Sequence, residues 1–343
     1  IGNILNNNKN SLVTLGALLL VFTCTVGAFV KSDNFNEAYL SFDVDKVKTH
    51  VKTLASDEFG GREPSTLGEQ LTTNLLVTEF KKLGLTPGNG ASYLQAVPMV
   101  SITSKPKTSL EIAGVDFEYP KNFVASSRKT EPQLNLNNSA LVFIGYGINA
   151  PEYQWNDYQG VDVKGKTVVI LVNDPGYATK DPTLFEGNTM TYYGRWIYKY
   201  EEAARQGAAA AIIVHETKPA SYGWNVIKSS WTGAQYHLPA KEVNEPAIDV
   251  EMWISYEKAN ELFKKAGLDF ELVKQQAAHR GFKPLPLNLT ASIKIENVIV
   301  ESTSDNVIAT IKGSKTSDEH VVYMAHWDHL GSIIVDGKKE IYN

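Results

Sequence analysis

Thr167-Val168-Val169-Ile170-Leu171-Val172 is an unbroken aliphatic run, entered through the Gly165-Lys166 turn. Six residues is a strand length, and a run apolar on both faces reads as a strand buried on both sides. Upstream, Ala140-Leu141-Val142-Phe143-Ile144 is a second such run. Downstream, Arg195 to Gln206 reads as a helix, Gly207 breaks it, and Ala208 to Val214 is a third apolar run. Strand, helix, strand with short links is a βα unit, so this middle region builds a core of its own. Tyr256 to Ala266 is one more helix, closed by Gly267.

Toward the N-terminus, Val44, Val47, Val51 and Leu54 recur at helical spacing, which predicts a short amphipathic helix over residues 43–55. The polar stretch Asp57-Glu58-Phe59-Gly60-Gly61-Arg62-Glu63-Pro64 follows. A longer helix comes next, with Leu71, Leu75, Leu76, Phe80 and Leu83 expected on its core face, and Gly84 stops it. Residues 93–130 read as short strands and turns. Toward the C-terminus, Leu289–Ile295, Asn306–Ile311 and His320–Ala325 are expected strands. There is no internal repeat. The pattern is that of a first domain interrupted by an insert and resuming near residue 290.

With 343 residues, 43% of them hydrophobic and 21% charged, the chain has the composition of a globular protein of about two domains. The net charge of −5 carries no basic block, which argues against a nucleic-acid partner. Ser11 to Val30 has no charge and contains Leu15-Gly16-Ala17-Leu18-Leu19-Leu20-Val21-Phe22 behind Lys9. Residues 1–31 therefore read as an export signal cleaved after Ala28, with a retained membrane anchor as the alternative. Either reading places the rest of the chain outside the cytoplasm, in a periplasmic, secreted or envelope-anchored form. Cys24 is the only cysteine and lies in this leader. A metal site in the remainder must therefore use His, Asp and Glu. Because the chain begins at Ile1 and stops at Asn343 in mid-pattern, it reads as a fragment.

The stretch that carries chemistry is Val321-Val322-Tyr323-Met324-Ala325-His326-Trp327-Asp328-His329-Leu330-Gly331. An apolar run leads straight into a His-x-Asp pair, which puts His326 at the carboxyl end of the expected strand, where functional groups of α/β sheets gather. A neutral imidazole there can bind a divalent metal. A carboxylate two residues on can accept a hydrogen bond from the other ring nitrogen and fix the tautomer. An isolated His-x-Asp is also compatible with a histidine that merely caps a strand.

Ala325-His326-Trp327-Asp328-His329-Leu330-Gly331 resembles the Ala-His-x-Asp-His-x-Gly motif of the secreted di-zinc exopeptidases of aminopeptidase type, relatives of glutamate carboxypeptidase and the transferrin receptor. Leu54-Ala55-Ser56-Asp57-Glu58-Phe59-Gly60-Gly61-Arg62-Glu63 resembles the N-terminal Leu-Ala-Ser-Asp…Gly-Arg signature of that family. Phe80-Lys81-Lys82-Leu83-Gly84-Leu85-Thr86-Pro87 and Tyr93-Leu94-Gln95 fit the same opening. The middle region is similar to the protease-associated domain that many members insert, on Gly145-Tyr146-Gly147, Asp157-Tyr158, Asp162-Val163-Lys164-Gly165-Lys166 and Gly207-Ala208-Ala209-Ala210.

The resemblance implies an α/β fold: a mixed-sheet zinc-exopeptidase domain, incomplete here, interrupted by a protease-associated α/β insert. The expected boundaries are 37–135 for the first part, 136–275 for the insert and 288–343 for the resumed part. It further implies two zinc ions, with His326 as a metal ligand, Asp328 as the catalytic-site carboxylate that orients it, and peptides as substrates. The remaining ligands of such a site would lie beyond Asn343. A receptor or binding module descended from such an enzyme is the alternative function.

Other signals have plainer readings. Gly145-Tyr146-Gly147-Ile148-Asn149-Ala150 fits a dinucleotide fingerprint, but the loop-like Pro151–Tyr158 follows where a helix is required, so it reads as a turn. His215-Glu216 ends a strand and reads as a hydrogen-bonded or solvated pair. His50, His237, His279 and His320 have no partner spacing, and His329 is close enough to line the metal pocket or lie at the surface. Tyr193, Trp196 and Tyr200 would share a helix face and read as core. There is no G-x-S-x-G, so a serine hydrolase has no support. Asn137-Asn138-Ser139 and Asn288-Leu289-Thr290 are glycosylation sequons, relevant only in a eukaryotic secretory host.

Overall fold

A computed structural model describes residues 33–239, 242–243, 246–316 and 318–342. They divide into two compact units, one of residues 64–325 and one formed by the residues up to Glu63 together with those from His326 onward. The leader expected at 1–31 lies outside the described residues. Among those described, no helix is long and apolar enough to cross a membrane.

The 64–325 unit is built on one eight-stranded sheet. Its strands are β1 Leu94–Pro106, β2 Phe123–Ser126, β3 Gln133–Phe143, β4 Thr167–Leu171, β5 Ala210–His215, β6 Gln235–His237, β7 Val250–Ser255 and β8 Leu285–Val307. Their spatial order is β2-β7-β5-β4-β3-β8-β1-β6. The central run β3-β4-β5-β7 is parallel, and the flanking pairs are antiparallel. The chain is thus α/β with a large mixed sheet, as expected from the sequence. The main helices are α1 Val44–Leu54, α2 Leu67–Lys82, α3 Trp196–Arg205, α4 Trp224–Trp231, α5 Tyr256–Lys265 and α6 Phe270–Ala277.

The parallel strands are apolar on both faces because helices cover both. Val169 and Leu171 of β4 join Phe143, Ile212, Val214 and Met252 under Leu262, Phe263 and Phe270 of α5 and α6. Val168 and Ile170 point the other way, among Val142, Ile213, Trp253, Tyr200 of α3 and Trp231 of α4. Each such side chain taken out of water contributes about 1.5–3 kcal/mol. One polar group crosses this layer. Lys199 of α3 is fully buried, and its Nζ donates to the carbonyls of Tyr146 at 2.6 Å and Asn173 at 2.9 Å. It thereby ties together the segments that leave β3 and β4. Nearby Asp157, also buried, accepts from Ile148 N at 3.0 Å and Trp155 Nε1 at 2.8 Å. Burial pushes the Asp157 carboxyl up and the Lys199 ammonium down, and each is opposed by the charge of the other.

The structure departs from the sequence-based reading in several places. β1 and β8 pair without a break from Leu94–Val307 to Pro106–Ile295, one long ribbon where short strands were expected. Strands from both sides of the expected insert, 136–275, share its sheet, because β8 pairs with β3 and β2 pairs with β7. On α2 the buried residues are Gly68, Glu69, Thr72 and Thr73, while Leu83 is 72% exposed. Of the expected Leu/Phe face, Leu71, Leu75, Leu76 and Phe80 are only half-buried, and the fully covered face is the polar one. Tyr193 precedes α3 and packs on Tyr153, Phe185 and Tyr198, so the expected Tyr193–Trp196–Tyr200 stripe does not form.

The expected strand at His320–Ala325 is absent as well. Val321, Val322, Tyr323 and Met324 are 79–95% exposed, and no strand among the described residues lies alongside to pair with them. A strand is defined by its neighbour's hydrogen bonds, so an apolar run without one stays irregular.

Candidate functional site

The second unit holds both ends of the resemblance. Asp43 caps α1 by accepting from the amides of Asp45 at 3.0 Å and Lys46 at 3.1 Å. The helix ends at Ala55, and a single 3-10 turn, Asp57–Phe59, buries Phe59. Gly60, Gly61 and Arg62 follow with φ of 57°, 73° and 50°, three successive left-handed residues. For Arg62, which has a Cβ, this conformation costs about 1–2 kcal/mol, so something must hold it there.

What holds it is the 326–331 loop. The Arg62 Nε donates to the carbonyl of Trp327 at 3.0 Å, and its Nη1 donates to the carbonyl of Leu54 at the end of α1. The amide of His329 returns to the carbonyl of Arg62 at 3.1 Å, and the amide of Gly331 to that of Gly61 at 2.9 Å. The backbones come so close that a Cβ on Gly61 would overlap the Gly331 carbonyl, and one on Gly331 would overlap Glu63. Beyond the loop a hairpin, β9 Ser332–Val335 and β10 Lys338–Ile341, returns the amide of Tyr342 to the Gly331 carbonyl at 2.9 Å.

His326 opens this loop with its side chain 81% exposed. Its Nδ1 faces two acceptors, the Asp328 carbonyl at 2.9 Å and the Asp328 Oδ1 at 3.3 Å. Nδ1 therefore carries the proton, and the Nε2 lone pair is left for a cation. His329 enters the arrangement through its backbone amide. The donor chemistry at His326 fits one zinc ligand. A catalytic zinc needs about three protein ligands plus water. Among the described residues no three His, Cys, Asp or Glu side chains come together to hold a metal, so these residues do not complete the set.

No family model matches the chain, and no curated protein matches it. Among solved structures it is similar to the aminopeptidase from Aneurinibacillus sp. strain AM-1, at 18% identity and a TM-score of 0.38. The likeness covers 81% of this chain and 50% of that one, so the chain spans about half the length of that structure.

The competing sequence signals resolve into packing. After Gly145–Ala150 comes one 3-10 turn, Pro151–Tyr153, rather than a helix. Gly147 lies against Ile170 in a tight turn, so no phosphate cradle opens there. His215 is buried, its Nε2 lies 3.0 Å from the Tyr222 carbonyl, and burial lowers its pKa. Its neighbour Glu216 pairs with Lys274.

A buried acidic group on β7 was not anticipated from the sequence. Glu251 sits in ion-pair contact with Arg128 at 3.0 Å, without the alignment of a hydrogen bond. Burial, against the pull of Arg128, pushes the Glu251 carboxyl up to about 7. Burial and the Arg128 charge both lower His237 of β6, to about 4. A single Glu inside the apolar run Val250–Ser255 was the available signal.

Proposed function

We propose that the chain is part of an exported zinc-dependent exopeptidase of aminopeptidase type, acting on peptides at their N-terminal bond. The observation that carries this reading is the docking of two distant stretches. Residues 54–63 and 326–331, the two segments with the strongest motif resemblance, bond to each other through Arg62, Gly61, Trp327, His329 and Gly331. Chance matches to two separate motifs have no reason to meet in space.

Within this reading His326 is a metal ligand through Nε2, and Asp328 holds its ring by accepting the Nδ1 proton. Zinc, of which the resemblance implies two ions, would when bound supply the Lewis acid that polarises a carbonyl and acidifies a water. The exposure of the imidazole leaves room for an ion and a substrate above the loop. Export rests on the uncharged stretch Ser11–Val30.

The test is made on the full-length protein, with zinc content by elemental analysis and release of the first residue from short peptides. His326→Ala is expected to lower bound zinc and remove most activity. Asp328→Asn is expected to weaken zinc retention or rate by about 10–100-fold. Unchanged zinc and rate in His326→Ala would refute the assignment. A full-length protein without peptidase activity would favour the receptor or binding-module reading.

A further inference from the structure

We propose that Arg62 is a positioning residue for His326, a role that rests on the metallopeptidase reading above. The 326–331 loop has no regular secondary structure of its own, so no ladder fixes its backbone. Around Asp328 its fixed points come from Arg62 instead, while its far end at Gly331 is held by Gly61 and by Tyr342 just past the hairpin. The Trp327 carbonyl accepts from the Arg62 guanidinium, and the His329 amide donates to the Arg62 carbonyl. These two bonds fall on either side of Asp328, whose carbonyl and carboxylate both face the Nδ1 of His326. Arg62 thus brackets the residue that orients the imidazole.

Two further features fit this role better than simple docking of the N-terminal segment. The guanidinium is two-pronged. Nη1 holds the Leu54 carbonyl at the end of α1, so the loop is referenced to a helix rather than to another loop. Bonds from a charged donor to a carbonyl are among the stronger ones, and a lysine cannot span both acceptors. Arg62 is also held at φ 50°, an unfavourable conformation for a residue with a Cβ. That conformation is what turns its carbonyl and its side chain toward the same loop.

The experiment compares wild type, Arg62→Ala, Arg62→Lys and His326→Ala in the full-length protein. Three quantities are read: zinc loss to a chelator, kcat and KM on a short peptide, and amide exchange at His329 in the metal-free protein. Arg62→Ala is expected to keep its fold and its KM within about twofold. It should lose zinc, and fall in kcat, by about 10–100-fold, the range seen when groups that orient metal ligands are removed. Exchange at His329 should speed up without metal present, which separates loop mobility from metal loss. Arg62→Lys should lie between the two. If Arg62→Ala does not fold, Arg62→Lys carries the test on the same readouts. Wild-type zinc retention, kcat and His329 exchange in a folded variant overturn the role of Arg62. His326→Ala separates the layers: full zinc and rate there sink the metallopeptidase reading itself. Loss there, with Arg62→Ala like wild type, sinks only the positioning role.

Discussion

A methyl group at Gly61 has nowhere to go: it would meet the Gly331 carbonyl, on a backbone at φ 73°. Gly61→Ala is therefore expected to cost more than about 2 kcal/mol in the 33–63 and 326–342 unit, from the left-handed penalty plus the overlap. A urea titration that places the variant within about 0.5 kcal/mol of wild type would contradict the close approach. Lys199 makes the complementary case. Lys199→Met leaves the Tyr146 and Asn173 carbonyls without their donor and Asp157 without its nearby cation. A loss of about 1–3 kcal/mol, the cost of leaving buried carbonyls unpaired, is expected by the same titration. At this scale the sequence was legible where chemistry is local. His326 and Asp328 are two residues apart, so their spacing allowed the contact, and the motif resemblance, not the spacing, singled it out. The role of Arg62 could not, because its partner Trp327 lies 265 positions away and nothing in either segment names the other.

Elements were legible where apolar periodicity and burial agree. α3, α5 and the strands β4 and β5 fall within a residue or two of their expected positions. α1 also forms where its spacing predicts it, yet it buries no residue, and Val44, Val47 and Val51 of its apolar stripe are exposed. α2 shows where that agreement ends. Its buried face is polar: Glu69, 5% exposed, accepts from the amides of Ser65 and Asp305, the latter at 2.7 Å. Thr72 and Thr73 return their hydroxyls to the carbonyls of Gly68 and Glu69. Hydrophobic periodicity cannot find a face that is buried because its polar groups are satisfied. Glu69→Ala should accordingly cost about 1–3 kcal/mol, the penalty for leaving buried amides unpaired. Leu83→Ser, at a 72% exposed position, should stay within about 0.5 kcal/mol. The reverse ranking in a denaturant series would restore the leucine face. β7 escaped notice for a similar reason, since Glu251 interrupts an otherwise apolar run. The run Val321–Met324 misled in the opposite sense, because strand-like composition does not supply a pairing neighbour.

For the 64–325 unit as a whole, two groups around Arg128 set opposing pH dependences of stability. His237 titrates near 4 in the folded chain against about 6.5 unfolded. Between those values the unfolded chain takes up a proton that the folded one refuses, so this contribution is lost as pH falls. Glu251 titrates near 7 folded against about 4.5 unfolded. Between those values the folded chain keeps a proton the unfolded one has released, so this contribution is lost as pH rises. Each is worth on the order of 3 kcal/mol across its window. Their slopes nearly cancel between pH 4.5 and 6.5. Glu251→Gln should expose the histidine slope, with stability falling on acidification below pH 6.5. His237→Gln should expose the carboxyl slope, with stability falling as pH rises from 4.5 to 7. Chemical denaturation at half-unit pH steps reads both, and parallel profiles for the two variants would dismiss the arrangement.

The span between Arg62 and Trp327 also sets an order of assembly during synthesis. The 64–325 unit is one continuous stretch of chain between the two halves of the other. At about 5–20 residues per second, a ribosome needs roughly 13–53 s to bring Trp327 out after Arg62. Throughout that interval the Gly60–Arg62 turn has no loop to close upon, while the eight-stranded sheet is completed strand by strand. The segment carrying the metal-ligand candidate is thus seated last, onto an anchor that was made first.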